Sequence, residues 1–90
     1  MGLFLVWHEE ENVLEPETRL ALDHFELRPG LLLVDSETAL SRLYHRLKSA
    51  LPPGSGLMVA PLASAPKFKL MDKGAAAWLR SREQAAGAAP

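Results

Sequence analysis

Three short, uninterrupted apolar runs limit what this chain of 90 residues can fold into. They read "LFLVW" from Leu3, "LLLV" from Leu31 and "LMVAPL" from Leu57. Each run is too short for a typical helix, and its branched and aromatic residues favour a strand that is buried on both faces. Helices that pack on one face of such a sheet leave the other face uncovered. We therefore predict an apolar association surface, which a symmetric homodimer would cover most simply.

Two helices are predicted between the strands. The first begins at Pro16, with acidic neighbours that suit the positive end of the helix dipole, and runs to about Asp23. The second follows a cap at Asp35 or Ser36, and Pro52-Pro53-Gly54 ends it. Its apolar residues recur every three or four positions along one face: Leu40, Leu43, Tyr44, Leu47 and Leu51.

The remaining elements complete the predicted fold. Residues 25–34 predict two strands around Pro29-Gly30, which is typical of a turn or a bulge. Residues 70–82 predict a final helix with Asp72 as its cap and Trp78-Leu79 as its buried anchor. The order of elements predicts an α+β fold, a ferredoxin-like βαββαβ sandwich with an additional C-terminal helix.

Length, charge and cysteine content narrow the classes of function. The length predicts a single domain over residues 1–83 and a flexible tail over residues 84–90. The net charge of -1 gives no general basic surplus, so nucleic-acid binding would need a local patch. The sequence has no Cys, which excludes disulfides and thiolate metal sites and fits a cytoplasmic location. No apolar run is long enough to span a bilayer, so we expect no membrane partner.

The candidate catalytic residues, His8, Glu9 and Glu10, directly follow the first strand. Carboxylates at a strand end can hold Mg²⁺ or Mn²⁺, and a metal-bound water can then attack a phosphate. Consecutive carboxylates of an extended chain point to opposite sides, however, so Glu9 and Glu10 cannot easily share one ion. The competing interpretation is a solvated acidic strand end, with no cofactor. The histidines His8, His24 and His45 lack the spacing of zinc ligands and are interpreted as solvated or capping side chains.

Two basic clusters are candidates for nucleic-acid contact. The first, Arg42 and Arg46, lies on the polar side of the second predicted helix. The second, in the stretch "APKFKLMDK", consists of Lys67, Phe68, Lys69 and Lys73. Cations interleaved with an aromatic ring can hold single-stranded nucleic acid by charge and stacking. The competing interpretation is a solvated charged face.

The phrases "LFLVWHE", "FELRPGLLLVDS", "LMVAPL" and "AAAWLRSR" resemble the small CRISPR-associated spacer-acquisition subunit and, more closely, its SinR-like relatives. In those relatives a strand ending "LLVVEL" precedes a loop and a helix containing "WL", and "LMVAPL" and Trp78-Leu79 occupy comparable places here. The resemblance covers residues 3–82 and implies a ferredoxin-like fold and homodimers formed through sheet surfaces. It further implies either a metal-dependent nuclease or a non-catalytic scaffold that bridges larger proteins and nucleic acid. The nuclease members carry an Asp just after the first strand. His8-Glu9 stands at that place in this sequence, and the first Asp is Asp23, which argues against cleavage.

The sequence therefore predicts a small homodimeric binding or scaffolding module that contacts nucleic acid or a larger protein partner. Two alternatives stay open. One is a metal-dependent endonuclease of DNA or RNA, and the other is a purely structural subunit of a larger assembly.

Overall fold

The computed structural model describes the backbone of residues 2–87 and the side chains of residues 2–82. This part of the chain forms four strands and three helices. The strands are β1 (Leu3–His8), β2 (His24–Arg28), β3 (Leu31–Asp35) and β4 (Leu57–Pro61). The helices are α1 (Pro16–Ala21), α2 (Leu40–Ser49) and α3 (Ala75–Gly87). The predicted α+β class is confirmed.

The four strands form one antiparallel sheet with the order β2-β3-β1-β4. β1 lies inside the sheet, because Phe4 is opposite Val34 of β3 on one side and Pro61 of β4 on the other. The connection through α1 joins β1 to β2 and crosses over β3, which lies between them. The connection through α2 joins β3 to β4 and crosses over β1 in the same way. The three apolar runs of the sequence are therefore the three neighbouring strands β3, β1 and β4.

Pro29 and Gly30 form the turn between β2 and β3, as the sequence predicts. Gly30 has a φ of 82°, and a Cβ at this position would lie 2.3 Å from the carbonyl oxygen of His8. The N–H of His8 donates to the Gly30 carbonyl at 2.8 Å. Glycine is needed here both for its backbone conformation and for the close approach of the turn to the end of β1.

The first face of the sheet packs against α2. Side chains alternate along a strand, so Phe4 and Val6 of β1 point to this face. Leu43 and Leu47 of α2 are fully buried against them, and each contributes about 1.5–3 kcal/mol by leaving water. α1 buries none of its own side chains. The residues that flank it reach this core instead: Leu14 and Leu22.

The second face is covered by α3 and by the segment that precedes it, residues 62–74. Leu33 of β3 is fully buried on this face, where it joins Leu27 of β2 and Leu79 of α3. The segment adds partly buried apolar side chains, namely Leu62, Ala65, Phe68 and Met71. The prediction that the helices leave this face bare is therefore wrong. The additional C-terminal helix returns across the sheet and covers it.

α2 begins later than the sequence predicts. Asp35 is the last residue of β3, and the N-cap position is occupied by Ala39, which has no capping side chain. The Ser36 hydroxyl instead accepts the N–H of Thr38 at 3.1 Å, a local turn that uses the side chain before the helix starts. Of the predicted apolar face, Leu43, Leu47 and Leu51 are buried in the core of the first face, Tyr44 is half-buried and Leu40 is exposed.

α3 begins at Ala75 rather than at the predicted residue 70. Leu70 has a φ of 58°, which a right-handed helix cannot include. The Asp72 carboxylate accepts a backbone N–H two residues further on at 3.0 Å, so the predicted cap does organise the start of the helix. α3 continues through residues 84–87, which were predicted to belong to the tail. The rest of that predicted tail, residues 88–90, lies outside the described residues.

Candidate functional site

β4 is an outer strand with a free edge. The N–H of Leu62 donates to the Leu3 carbonyl at 2.8 Å, and this bond sets the alternation of the ladder between β1 and β4. Every second residue of β4 then turns its backbone groups outward: Leu57, Val59 and Pro61. Pro61 lacks an N–H, so it is tolerated on this side. Within the described residues, no backbone group bonds to the outward side of β4.

The opposite outer strand, β2, is protected. It contains a bulge between Glu26 and Arg28, which distorts the ladder. The N–H of Asp72 donates to the carbonyl of the bulged residue, Leu27, at 3.2 Å. The edge of β2 also carries charged side chains at both sides of the bulge. β4 has neither a bulge nor a charged residue, and of the usual protections of an edge strand it carries only the proline at its end, Pro61.

An exposed apolar pair lies beside the free edge. Trp7 of β1 and Met58 of β4 are directly opposite each other, and they point to the second face at a corner that α3 does not cover. Trp7 is 42% exposed and Met58 is 52% exposed. We name Trp7, Met58 and the outward backbone of β4 the β4 edge site. Sequence reasoning missed this site because it expected the whole second face to be bare, and not one corner.

The two predicted basic clusters lie on opposite faces of the sheet. Arg42 and Arg46 are exposed on α2, which packs on the first face. Lys67, Lys69 and Lys73 are exposed on the segment that covers the second face. The fold therefore does not bring the two clusters together within one chain. Phe68 is partly buried in the core of the second face, which limits how much of its ring a base could reach.

The basic side of α2 adjoins the larger of two open clefts. An open cleft of about 500 Å³ adjoins its C-terminal end, between the helix and the turn at residues 52–55. His45 and Lys48 line this cleft, and both are exposed. With Arg42 and Arg46 they form a polar, basic side of α2. A smaller open groove of about 420 Å³ on the second face is lined by Lys67, Phe68 and Arg80, among others.

The predicted catalytic residues do not form a metal site. His8 is buried, and its Nδ1 donates to the Glu9 carbonyl at 2.8 Å. The Glu9 carboxylate accepts the Asn12 amide at 3.3 Å, and the same amide donates to the Ser55 hydroxyl at 2.6 Å. Glu9 thus helps to tie the loop after β1 to the turn before β4. Glu10 is exposed. Across the described residues, no three His, Asp or Glu side chains are placed to hold one metal ion.

The other two histidines make contacts with residues next to them in the chain. His24 Nδ1 donates to the Leu22 carbonyl at 2.7 Å, which is a local capping contact at the start of β2. His45 is exposed on α2, with its ring 5.4 Å from that of Tyr44. These placements fit the interpretation of solvated or capping side chains.

A charged cluster that sequence reasoning missed joins α3 to the sheet. Arg82 forms an ion pair with Asp23 and lies 3.9 Å from Asp35. Its guanidinium also covers the ring of Trp78. Burial raises the pKa of Asp35 above its usual range, the neighbouring Asp23 raises it further, and Arg82 opposes the rise. The signal in the sequence is weak, because Arg82 and its aspartates are far apart in the chain.

No protein-family model, curated protein or solved structure matches this chain. The resemblance to the CRISPR-associated and SinR-like proteins thus stays a prediction. Over residues 2–87 the helices are too short or too polar for any of them to cross a membrane.

Proposed function

We propose that this chain is a small binding and scaffolding module that works as a homodimer paired through the β4 edge site. One observation carries the proposal: β4 is an uncharged outer strand that turns the free backbone groups of Leu57 and Val59 outward and has an exposed apolar pair beside it. An edge of this kind is a template for pairing with another strand. A second copy supplies the same edge, and antiparallel pairing of β4 with β4 is self-complementary, as a two-fold interface requires.

The proposed pairing extends the sheet across the dimer. In antiparallel pairing the two-fold axis is perpendicular to the sheet, so equivalent faces of the two copies lie on the same side. The Trp7–Met58 pairs of both copies then meet on the second face and bury their exposed apolar area. On the first face the two α2 helices lie on either side of the axis. Arg42 and Arg46 of both copies would together form a basic surface twice as long as that of one chain.

The finer fold assignment belongs to the same proposal. Read from its β4 end, the strand order is β4-β1-β3-β2, and all neighbours are antiparallel. The two halves, β1-α1-β2 and β3-α2-β4, are interleaved. We propose on this basis that the domain is a ferredoxin-like βαββαβ sandwich, with α3 as an addition that covers the second face.

Nucleic acid is the partner that the charges of α2 favour. The polar side of this helix carries Arg42, Arg46 and Lys48, and phosphates are bound by such exposed cations with release of counterions. A larger protein with an acidic surface is the alternative partner. A cytoplasmic location, predicted from the absence of Cys, is part of this proposal.

The metal-dependent nuclease has less support. His8 and Glu9 are engaged in contacts within the loop after β1, and the described residues offer no group of three ligands. The purely structural subunit differs from our proposal only in making no contact with nucleic acid.

The mass of the protein in solution tests the proposed dimer. We expect light scattering coupled to size exclusion to give twice the chain mass, with dissociation on dilution. Met58→Lys places two charges near the axis and should give a monomer with an unchanged circular dichroism spectrum. Leu20→Lys is the matched control, because Leu20 is exposed on α1, away from β4, and this variant should stay dimeric. A wild-type protein that remains monomeric when concentrated, or a dimer that survives Met58→Lys, would contradict the proposal.

A further inference from the structure

Among the polar and charged side chains of residues 2–82, His8 is the one that is buried, with 4% of its surface exposed. It ends β1 and points to the first face, in alternation with Phe4 and Val6. The Glu9 carbonyl can only accept, so in the neutral ring the proton lies on Nδ1, 2.8 Å from that oxygen. Nε2 is then a hydrogen-bond acceptor. Within residues 2–82 no group donates to it.

The ring of His8 is not sealed inside the core. Among the described residues, Arg82 Nε is the side-chain nitrogen that has neither accessible surface nor a hydrogen-bond partner. Nε2 of His8 also has no partner, so it must retain some accessible surface. His8 lines a cleft of about 150 Å³, to which we assign that surface. Buried polar atoms of native proteins are almost always satisfied by protein, water or a bound group. The cleft is therefore where a donor for Nε2 must come from.

The charged residues that line the cleft and the volume of the cleft limit the charge and size of a group that could donate to Nε2. Glu10 and Glu26 contribute two carboxylates, and Arg19 contributes one guanidinium. None of the three forms an ion pair with a described residue. The walls thus carry a net negative charge and an excess of acceptors. The cleft has room for several water molecules or for a small terminal group.

We propose that this cleft binds a guanidinium, a planar cation whose N–H groups are spread over three nitrogen atoms. One N–H donates to Nε2 of His8, and the others donate to the carboxylates of Glu10 and Glu26. Such charge-assisted bonds are stronger than bonds between neutral groups. A quaternary ammonium matches the charge of the cleft but has no donor for Nε2, so it should bind poorly. A metal ion is not favoured, because the described residues do not place three ligands together.

The proposed site is independent of the proposed dimer. It lies at the turn between β2 and β3 and at the end of β1, whereas the dimer uses the outer side of β4. The cation can be a free alkylguanidine or the end of an arginine side chain of a partner protein. Both sources present the same chemistry to His8.

Imidazole nitrogen NMR of the full chain tests the proposal with methylguanidinium as the probe. We expect a saturable shift of the His8 Nε2 resonance with methylguanidinium and no saturable shift with tetramethylammonium. Glu26→Gln, an exposed change that leaves the core intact, should weaken binding on the order of tenfold, the value of one charge-assisted hydrogen bond. Glu17→Gln, an exposed change on α1 away from the cleft, should leave binding unchanged.

A blocked arginine amide in the same titration distinguishes the sources. Binding as tight as that of methylguanidinium would support a partner's side chain, and binding of methylguanidinium alone would support a free small molecule. Equal shifts with tetramethylammonium, an unchanged affinity in Glu26→Gln, or the absence of saturation would overturn the proposal and leave the cleft to water. A monomeric protein that still shows the His8 response would contradict the dimer but not this site.

Discussion

The guanidinium carbon of Arg82 lies 4.0 Å from the centroid of the Trp78 ring, one turn earlier on α3. The same guanidinium forms an ion pair with Asp23, which precedes β2, and approaches Asp35 at the end of β3. Trp78 in turn contacts Phe25 of β2, with 6.2 Å between the ring centroids. The Arg82 side chain therefore connects α3 to the ends of β2 and β3. It does so where the Ala-rich helix buries few large residues.

Replacing Arg82 should loosen α3. Arg82→Met keeps much of the aliphatic stem but removes the charge over Trp78 and the ion pair with Asp23. We expect a loss of about 1–2 kcal/mol in the free energy of unfolding, because the cation–π contact is partly shielded and Asp23 is half exposed. Urea unfolding followed by tryptophan fluorescence measures this loss. Arg80→Met, on the exposed side of α3, is the matched control, and an equal effect of both variants would contradict the role of Arg82.

The stability contributed by Asp35 should fall as the pH rises. Burial raises the pKa of Asp35 in the folded state above its value in the unfolded chain, so the folded state binds the proton more tightly. The resulting stabilisation is complete below the unfolded pKa and is lost as the pH rises through the folded pKa. Asp35→Asn cannot titrate and lacks this loss. Its free energy of unfolding relative to wild type should increase from acidic to neutral pH and then stay constant.

Denaturant unfolding of both proteins at a series of pH values measures that difference. The loss of the contact with Arg82 can add a pH-independent offset to the difference in free energy of unfolding. Such an offset does not change how that difference varies with pH. Glu11→Gln is a useful control, since this exposed carboxylate lies in the loop after β1, outside the cluster. A difference between Asp35→Asn and wild type that does not change with pH would contradict the raised pKa.

Two glycines with the same backbone angle should respond differently to alanine. Gly30 and Gly54 both have a φ of 82°, but a Cβ at Gly30 meets the His8 carbonyl at 2.3 Å, and one at Gly54 meets nothing within 4 Å. Gly54→Ala should cost about 1–2 kcal/mol, the ordinary penalty of a left-handed conformation. Gly30→Ala must also displace the end of β1 and should cost clearly more. Thermal unfolding of both variants tests this order, and equal losses would mean that the turn adjusts without strain.

Nucleic-acid contact should depend on α2 more than on the segment before α3. We expect a salt-sensitive mobility shift with single-stranded DNA or RNA that is lost in Arg42→Gln with Arg46→Gln, because each phosphate contact releases counterions. Lys67→Gln with Lys69→Gln removes the same charge from the other face and is the matched control. If this second pair abolished the shift instead, the binding surface would lie on the second face. No shift at low salt with either nucleic acid would leave a protein as the partner.

The local patterns of the sequence predicted most of the secondary structure. The apolar runs from Leu3, Leu31 and Leu57 are strands, and the spacing of Leu43 and Leu47 marks the buried side of α2, because both signals depend on neighbouring residues alone. The position of α3 on the second face depends on contacts between distant parts of the chain. The ion pair of Arg82 with Asp23 spans 59 residues, and no periodicity indicates it.

For the candidate sites, too, local features could be predicted, and features that depend on distant parts of the chain could not. The exposure of Arg42 and Arg46 follows from the helical pattern, and it was predicted. The burial of His8 was not, because an acidic sequence after a strand suggests solvent, whereas the turn at Gly30 folds back over the strand end. The free edge of β4 could not be predicted either, since strand order decides which strands lie outside.

The second face is closed by a helix that follows all four strands in the chain. All four strands and α2 precede Ala75 in the chain, so the residues of the sheet are synthesised before the helix that covers this side. Until α3 docks, Leu3, Leu27 and Leu33 are covered only by the segment of residues 62–74, and the sheet keeps apolar area exposed to its surroundings. A translation product that stops before α3 would keep this surface permanently, and it is the form of the protein that chaperones and proteases would have to remove.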